Sequence, residues 1–234
     1  MANKRRVAAW MLLALALSGS ACCSVGMLLP VPTETHSAFV YLSHLQKIKE
    51  CAGSTCTEQV RVLSGSGFVI AHAGNSSWAL TAAHLCASGP SVTESELKVA
   101  TRGGDIFPAS IVHIFSNVDA CVVAIHGAIV PAVTVADAAP SQGDYVTALG
   151  SPVGIYDNDL IAKFSGFYAG TTTGVRDPSS PGSVYAVLAG YTVPARPGSS
   201  GGPIFNEKGH LVGMVIMSNP AFESFALSPT FVVI

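Results

Sequence analysis

The chain has 234 residues, of which 49% are hydrophobic and only 11% are charged, against the roughly 25% of charged residues usual in soluble domains. Its length suits one or two small domains with a real hydrophobic core. The formal net charge is −2 and no basic run suggests a phosphate-binding face, so nucleic acid is excluded as the expected partner. The 23 glycines and 14 prolines are spread along the chain, which favours many short strands and frequent turns over long helices.

The N-terminus has the pattern of an export signal. The basic segment Lys4–Arg6 precedes an uncharged stretch, Val7–Val31, which as a helix would span about 37 Å at roughly 1.5 Å per residue, enough to cross a bilayer. The small residues Ser18–Ala21 suit cleavage by a signal peptidase, so a cleaved signal peptide and a retained membrane anchor both stay open. Cys22 and Cys23 after small residues add a third alternative, a lipoprotein signal. Each alternative predicts export, to the periplasm, the cell envelope or the extracellular space.

Beyond this segment the sequence predicts strands. Short apolar or alternating runs recur at close spacing, and turn residues such as Gly74-Asn75 and Gly103-Gly104 separate them. No stretch after residue 32 sustains a helical period over three turns, and the best helical candidate is one or two turns after Thr81. A Pro/Ala/Gly-rich stretch, Ala128–Gly143, divides the pattern into two. The sequence therefore predicts an all-β protein with two halves.

These patterns also set the expected domain boundaries. They are a signal peptide or transmembrane anchor at 1–32, a polar lead-in segment at 33–57, and a folded domain at 58–234 whose halves occupy about 58–127 and about 144–234.

Two local patterns place ionisable residues beside strands. The run Trp78–Thr81 leads into Ala82-Ala83-His84. The small side chains of the two alanines would leave the histidine ring accessible to a substrate. A histidine beside two alanines, taken alone, is more often an ordinary packed or surface residue. Asp119 begins the apolar run Ala120–Ile125, where a carboxylate is costly to bury unless specific groups donate hydrogen bonds to it. The alternative there is a turn-capping aspartate. The other candidate aspartates lack such a run and are expected in turns or loops: Asp105, Asp137 and Asp144.

The sharpest pattern is the loop Pro197–Phe205, which contains Gly198-Ser199-Ser200-Gly201-Gly202. Glycines on both sides of the serines let the backbone turn with its N–H groups inward and let another chain approach closely. Gly/Ser loops are common in proteins. One that is flanked by strand residues, and that follows a histidine and an aspartate in this order, is much rarer.

Together, Thr81-Ala82-Ala83-His84, the Asp119 strand and Gly198–Pro203 resemble the motifs of the chymotrypsin/trypsin-like serine protease family. Their order, His then Asp then Ser, is the order of that family and differs from subtilisin-like and α/β-hydrolase enzymes. The match is closest to the HtrA-type branch, because Ala148–Gly154 and Gly209–Val215 resemble segments typical of it.

The resemblance covers about residues 58–232 and implies a chymotrypsin-like double barrel, that is, two six-stranded antiparallel β-barrels. These would follow the N-terminal apolar signal or anchor helix that the first residues predict. It implies a serine endopeptidase that acts on polypeptide substrates without cofactor or metal. The sequence stops at Ile234, so the expectation is an HtrA-type protease domain without a PDZ domain. The alternative is a catalytically inactive protease fold that serves as a binding or assembly factor at the cell envelope. That alternative predicts damage to at least one motif, and all three are intact.

The resemblance also assigns roles. Ser200 would be the nucleophile, His84 the general base and later the general acid, and Asp119 the residue that fixes the tautomer of the imidazole ring. The backbone N–H groups of Gly198 and Ser200 would form the oxyanion hole.

Two departures from the family pattern bear on activation and specificity. Ser199 replaces the Asp or Asn usual before the nucleophile, so activation through pairing with a freshly cleaved N-terminus is not expected. No carboxylate occupies Tyr191–Pro197, which disfavours substrates with Lys or Arg before the scissile bond. We expect a pocket for small or medium apolar side chains, lined by Pro194, Ala195, Ile216, Met217 and Ser218.

Four cysteines remain beyond the export segment, and on paper they allow three pairings. Cys86 and Cys121 each lie two residues after a motif residue, His84 or Asp119. If those two residues are hydrogen-bonded as the resemblance implies, a Cys86–Cys121 bridge is within reach. The remaining pair, Cys51 and Cys56, would then close a short turn. The alternative is that Cys86 and Cys121 are small, buried, unpaired residues.

Overall fold

A computed structural model describes residues 36–152, 161–175, 185–218 and 230–232. All of these belong to one compact unit, Val31–Ile234. The predicted N-terminal apolar helix lies outside the described residues. Among the described residues, no helix is both long enough and apolar enough to cross a bilayer.

Six antiparallel strands form a closed barrel in the first half of the chain. They are β1 (Phe39–Ala52), β2 (Thr55–Ala73), β3 (Ser76–Ala82), β4 (Val92–Thr101), β5 (Ile106–Phe115) and β6 (Ala120–His126), with one short helix, α1 (Ala83–Cys86), between β3 and β4. The order around the barrel is β1-β2-β3-β6-β5-β4. Inward-facing apolar side chains such as Leu42, Val99 and Val123 fill it, as the period of two in a strand requires.

Strand β1 lies within the segment that the sequence pattern assigns to a lead-in. It pairs with β2 along its whole length and with β4 as far as Ile48, so it is an integral strand of the barrel. A two-residue turn at Gly53 and Ser54 joins β1 to β2, and Gly53 has the positive φ of 64° that such hairpin turns favour.

Seven strands form one sheet in the second half. They are β7 (Tyr145–Gly150), β8 (Ala162–Val175), β9 (Tyr185–Tyr191), β10 (Pro203–Asn206), β11 (Leu211–Met214), β12 (Met217–Ser218) and β13 (Thr230–Val232). Their order is β11-β10-β7-β8-β9-β13-β12. The prediction of an all-β fold with two halves is confirmed. Where a second six-stranded barrel is expected, the described residues form this seven-stranded sheet.

The second half has its own apolar core, which includes Tyr191. The Tyr191 side chain is fully buried, and its hydroxyl donates a 2.8 Å hydrogen bond to the carbonyl oxygen of Val212. Burial raises the pKa of the Tyr191 phenol well above its ordinary value, so the side chain stays neutral. The core is continuous with the first barrel through Phe68 and Ala120, and the candidate site lies where the two halves meet.

Candidate active site

His84 and Asp119 are hydrogen-bonded to each other twice. The ring nitrogen Nδ1 of His84 lies 2.9 Å from Oδ2 of Asp119, and the backbone N–H of His84 donates to Oδ1 at 2.9 Å. The His84 side chain is 45% exposed whereas that of Asp119 is 23% exposed. The ring is thus held on one side and open to solvent on the other, with Nε2 as the nitrogen that Asp119 does not contact.

The backbone around Asp119 strengthens this attachment. Asp119 has a positive φ of 50°, a conformation that Asp tolerates better than most residues. Its carbonyl oxygen accepts a 2.9 Å hydrogen bond from the N–H of Ala83. The turn before β6 therefore contacts the start of α1 through backbone and side chain at once. The Asp119 carboxylate thus contacts the His84 ring as well as the His84 backbone.

A disulfide also joins the two segments that carry His84 and Asp119. Cys86 of α1 is bonded to Cys121 of β6, with their Cα atoms 6.6 Å apart. Both side chains are buried in the core of the first barrel. A second disulfide joins Cys51 to Cys56 at the end of the β1–β2 hairpin. These are the two bridges that the sequence analysis expects.

Ser200 lies in a tight loop whose shape depends on glycine. Gly198 and Gly201 have positive φ values of 95° and 83°. A Cβ atom on Gly201 would collide with the carbonyl oxygen of Ser66 and the hydroxyl of Thr81, so no side chain fits there. The Gly201 N–H donates to the carbonyl oxygen of Val215 at 2.6 Å, which fixes the loop to the second half.

The orientation of this loop leaves two backbone donors unused. Within the described residues, the N–H groups of Gly198 and Ser200 donate to no acceptor, while the N–H of Ser199 donates to the carbonyl oxygen of Arg196 at 2.8 Å. In the same part of the chain, no hydrogen bond joins Ser200 Oγ to the ring of His84. The pair Gly198 and Ser200 is the one that the sequence analysis proposes for an oxyanion hole.

Ser66, in β2, connects the two halves, and the sequence patterns described above do not predict a functional role for it. Its hydroxyl donates to the carbonyl oxygen of Gly198 at 2.8 Å and accepts from the N–H of Ser151 at 3.0 Å. Its own N–H donates to the carbonyl oxygen of Ser200 at 2.8 Å. The hydroxyl of Thr81 donates to the Ser66 carbonyl oxygen at 2.7 Å. The available sequence signal is a serine between two glycines, Gly65 and Gly67.

Gly65 shows how closely the candidate residues approach one another. A Cβ atom at Gly65 would collide with the side chain of Leu85, the neighbour of His84, and would lie 3.0 Å from the carbonyl oxygen of Ser200. Strand β2 therefore passes between the histidine segment and the serine loop, in contact with both.

The residues expected to line a substrate pocket lie in the second half. Ala195 and Ile216 are buried in its apolar core, Met217 is 43% exposed, and Pro194 is half-buried. Ser218 is the last residue of β12.

Other titratable residues are separate from this site. The carboxylate of Asp144 accepts a hydrogen bond from the N–H of Ser141 within a turn. Asp105, directly before β5, and Asp137, in a bend, are both exposed. His44 is buried and its Nδ1 lies 2.8 Å from the carbonyl oxygen of Leu85. In the described part of the chain, no group of three or more His, Cys, Asp or Glu side chains could hold a metal ion.

The chain is similar to known proteins in sequence. The model of a family described as "Trypsin-like peptidase domain" matches residues 65–214. "Serine protease HTRA3" of Homo sapiens is 28% identical over 172 residues, which are 72% of this chain and 36% of that protein. "Probable periplasmic serine endoprotease DegP-like" of Halomonas elongata is 28% identical over 151 residues, 64% of this chain and 28% of that protein. The chain thus spans about a third of the length of these curated relatives.

Solved structures support the fold. The active form of the Rv3671c protease from M. tuberculosis has a TM-score of 0.65 at 20% identity, over 92% of this chain and 83% of that chain. The HtrA-type protease AlgW with decapeptide has a TM-score of 0.64 at 19% identity, over 88% of this chain and 63% of that chain.

Proposed function

Because the chain belongs to the trypsin-like peptidase domain family, we propose that it is a serine endopeptidase that hydrolyses peptide bonds through an acyl-enzyme on Ser200. The observation that supports this most strongly is the His84–Asp119 pair, with Nδ1 and Oδ2 2.9 Å apart. A carboxylate on Nδ1 favours the tautomer in which Nε2 has a free lone pair, and that is the form a general base needs.

In the acylation step, Ser200 Oγ bonds to the carbonyl carbon of the scissile peptide and its proton passes to His84 Nε2. The substrate oxygen becomes an oxyanion, which the N–H groups of Gly198 and Ser200 would stabilise. The intermediate then collapses, the C–N bond breaks, and the His84 proton goes to the leaving amine. A water molecule repeats the sequence on the acyl-enzyme and releases the acid product.

The role of Asp119 is to orient His84 and to stabilise the imidazolium that forms when Ser200 loses its proton. The second bond, from the His84 N–H to Oδ1, fixes the carboxylate itself. An aspartate that accepts two hydrogen bonds from one residue has little freedom to turn away during the reaction.

Export and specificity are part of the same proposal. Two disulfides are typical of an oxidising compartment, and a relative is named as periplasmic, which supports export to the periplasm or cell envelope. Met217, Pro194 and Ala195 provide no charge for a substrate cation, which supports a preference for small or medium apolar side chains.

Hydrolysis of an unfolded protein substrate by the purified full chain tests the proposal. We expect cleavage that disappears in Ser200→Ala. The alternative, a catalytically inactive binding or assembly factor, predicts no cleavage by either protein. Equal cleavage by both would indicate a contaminating protease and would give the proposal no support.

A further inference from the structure

The helix that carries His84 is too short to hold its own position. Helix α1 has four residues, Ala83–Cys86, and a helix of this length is not stable in water without tertiary contacts. In a single turn, the last carbonyl oxygens have no partners within the helix. The orientation of the His84 ring therefore depends on hydrogen bonds that other elements of the barrel provide.

Two buried polar side chains of β1 provide such bonds. The ring nitrogen Nδ1 of His44 lies 2.8 Å from the carbonyl oxygen of Leu85. The side-chain nitrogen Nε2 of Gln46 donates to the carbonyl oxygen of Ala87 at 2.9 Å. His44 and Gln46 are only 1% and 0% exposed, and they share one face of β1 because they are two residues apart. This face of β1 thus binds the end of α1.

The partners of the two side chains fix their orientations. A carbonyl oxygen only accepts, so Nδ1 of His44 carries a proton and donates it to Leu85. In the neutral ring the other nitrogen, Nε2, keeps a lone pair, and Gln46 Nε2 lies 3.5 Å from it. A guanidinium nitrogen of Arg61 donates to Gln46 Oε1 at 2.5 Å. Because a guanidinium group has no acceptor, the Gln46 oxygen faces Arg61 and the NH₂ group faces α1.

Helix α1 is thus held from two sides. On one side, Asp119 accepts from the His84 N–H, and the disulfide between Cys86 and Cys121 joins α1 to β6. On the other side, β1 binds the backbone carbonyl oxygens at the end of the helix. A loss of the bonds from β1 would let this backbone rotate and would turn the His84 ring with it.

Leu85 connects this arrangement to the serine loop. The Leu85 side chain lies against Gly65 of β2, where a Cβ atom would collide with it. The same Cβ position lies 3.0 Å from the carbonyl oxygen of Ser200. The residue that His44 binds therefore lies between the histidine and the serine loop, and a shift of its backbone would change their relative positions.

We propose that His44 and Gln46 are positioning residues for His84. They act through the carbonyl oxygens of Leu85 and Ala87, which they hold so that the His84 ring is already oriented for proton transfer. The inference rests on the proposed function and extends its machinery to β1, a strand outside all three motifs.

Substitutions at His44 test the bond to Leu85. His44→Leu removes the donor, whereas His44→Asn keeps an amide N–H near the position of Nδ1. We expect kcat for a peptide substrate to fall by about tenfold or more in His44→Leu, since a misplacement of about 1 Å can cost on the order of 10²-fold. KM should change much less. His44→Asn should recover most of the lost kcat.

His72→Leu is the matched control. His72 is in the same barrel, and its Nε2 lies 2.6 Å from the carbonyl oxygen of Val130, in the segment between the two halves. This variant also removes a contact between an imidazole ring and a backbone carbonyl group, but one that does not involve α1. We expect it to lose stability and to keep a kcat close to that of the unaltered protein.

Two further measurements separate positioning from stability. The rate constant for the reaction of Ser200 with a fluorophosphonate should fall together with kcat in His44→Leu, because the reagent needs the same base. The low-field ¹H NMR resonance of the proton between His84 Nδ1 and Asp119 should shift or broaden in His44→Leu and stay unchanged in His72→Leu. Its absence in His84→Ala identifies this resonance.

Arg61 offers a test that leaves the buried residues in place, should His44→Leu not fold. Arg61 is exposed, and Arg61→Met removes the guanidinium group that orients Gln46. We expect kcat to fall several-fold in Arg61→Met and in Gln46→Leu, with no further loss when the two are combined, because both act on one contact. Additive losses would overturn the role that we assign to Gln46.

The outcomes separate this inference from the proposed function. If the unaltered protein cleaves peptides and kcat is unchanged in His44→Leu and Gln46→Leu, the inference is wrong and the proposed function stands. An equal loss of kcat in His72→Leu, or a rise in KM alone, would overturn the inference as well. If the unaltered protein neither cleaves a peptide nor reacts with a fluorophosphonate, both are wrong.

Discussion

The hydroxyl of Ser66 donates a hydrogen bond to the carbonyl oxygen of Gly198, 2.8 Å away and 132 residues later in the chain. Ser66 is fully buried, so this bond is shielded from water. Gly198 provides one of the two N–H groups proposed to stabilise the oxyanion. Ser66 therefore acts as a positioning residue, because it fixes the loop through the backbone of Gly198 and Ser200.

Replacing Ser66 by alanine should weaken both the fold and the reaction. The substitution leaves the Gly198 carbonyl oxygen without this donor and the Ser151 N–H without this acceptor. This loss should lower the free energy of unfolding by about 1–3 kcal/mol. We expect kcat to fall by about tenfold or more, with a smaller change in KM. Loss of one oxyanion-hole donor lowers kcat by a factor on the order of 10²–10³, and in this variant both donors remain but are misaligned. Urea unfolding and steady-state kinetics measure the two effects.

Ser77→Ala is the matched control for that variant. Ser77 is also fully buried, its hydroxyl donates to the Ala128 carbonyl oxygen, and it accepts from the Val130 N–H. The Ser77→Ala variant should lose a similar amount of unfolding free energy and keep the kcat of the unaltered protein. Equal losses of kcat in Ser66→Ala and Ser77→Ala would show that Ser66 has a structural role only.

Asp119→Asn should preserve the fold and reduce turnover strongly. The amide oxygen can still accept from the His84 N–H, but an amide NH₂ opposite Nδ1 favours the tautomer with the proton on Nε2, which cannot accept the Ser200 proton. A related substitution in a well-studied serine protease lowers kcat about 10⁴-fold, and we expect a loss of similar order. Circular dichroism and kcat with a peptide substrate test this. A larger loss in the control variants Asp105→Asn or Asp137→Asn would contradict the assignment of Asp119.

The Cys86–Cys121 disulfide should stabilise the protein. It joins residues 35 apart in the sequence, and removal of such a cross-link by Cys86→Ala together with Cys121→Ala should lower the unfolding free energy by about 2–4 kcal/mol. The double variant Cys51→Ala and Cys56→Ala is the control. It opens a loop with a separation of only 5 residues in an exposed turn, so its loss should be smaller. Thermal unfolding under non-reducing conditions measures both, and an equal or larger loss for the exposed pair would contradict this account.

The residue before the cleaved bond should be small or medium and apolar. Ala195 and Ile216 are apolar and buried, and the segment Tyr191–Pro197 contains no carboxylate that could neutralise a bound cation. Cleavage of a peptide library, read by mass spectrometry, should give products that end mainly in Val, Ala or Leu. Products that end mainly in Lys or Arg would show that the specificity pocket has another composition.

The sequence predicts those parts of the site that depend on local patterns. His84 follows a run of small residues, Asp119 directly precedes an apolar strand, and Ser200 lies among glycines. Each of these patterns extends over fewer than ten residues. The structure brings His84 and Asp119 together and places both disulfides as expected. For the second half the sequence predicts a six-stranded barrel, whereas the described residues form a seven-stranded sheet. The number of strands depends on the pairing of very short segments, such as the two-residue strand β12.

Other features depend on contacts between distant residues. The sequence pattern predicts a lead-in where β1 lies, because the buried side chains of this strand include the polar residues His44 and Gln46, which hide the alternation of apolar and polar residues. Their burial is explained by partners 41 residues away, the carbonyl oxygens of Leu85 and Ala87. The role of Ser66 depends in the same way on Gly198, and no local pattern predicts such a contact.

Reaction of the purified full chain with a fluorophosphonate tests the central claim most directly, since this reagent forms a covalent adduct with a serine activated by an adjacent base. Mass spectrometry of the digested protein should show one adduct, on Ser200. The adduct should be absent in Ser200→Ala and strongly reduced in His84→Ala, and the loss of activity in the two variants should not be additive. No adduct on the unaltered protein, or an adduct that persists in Ser200→Ala, would contradict the account.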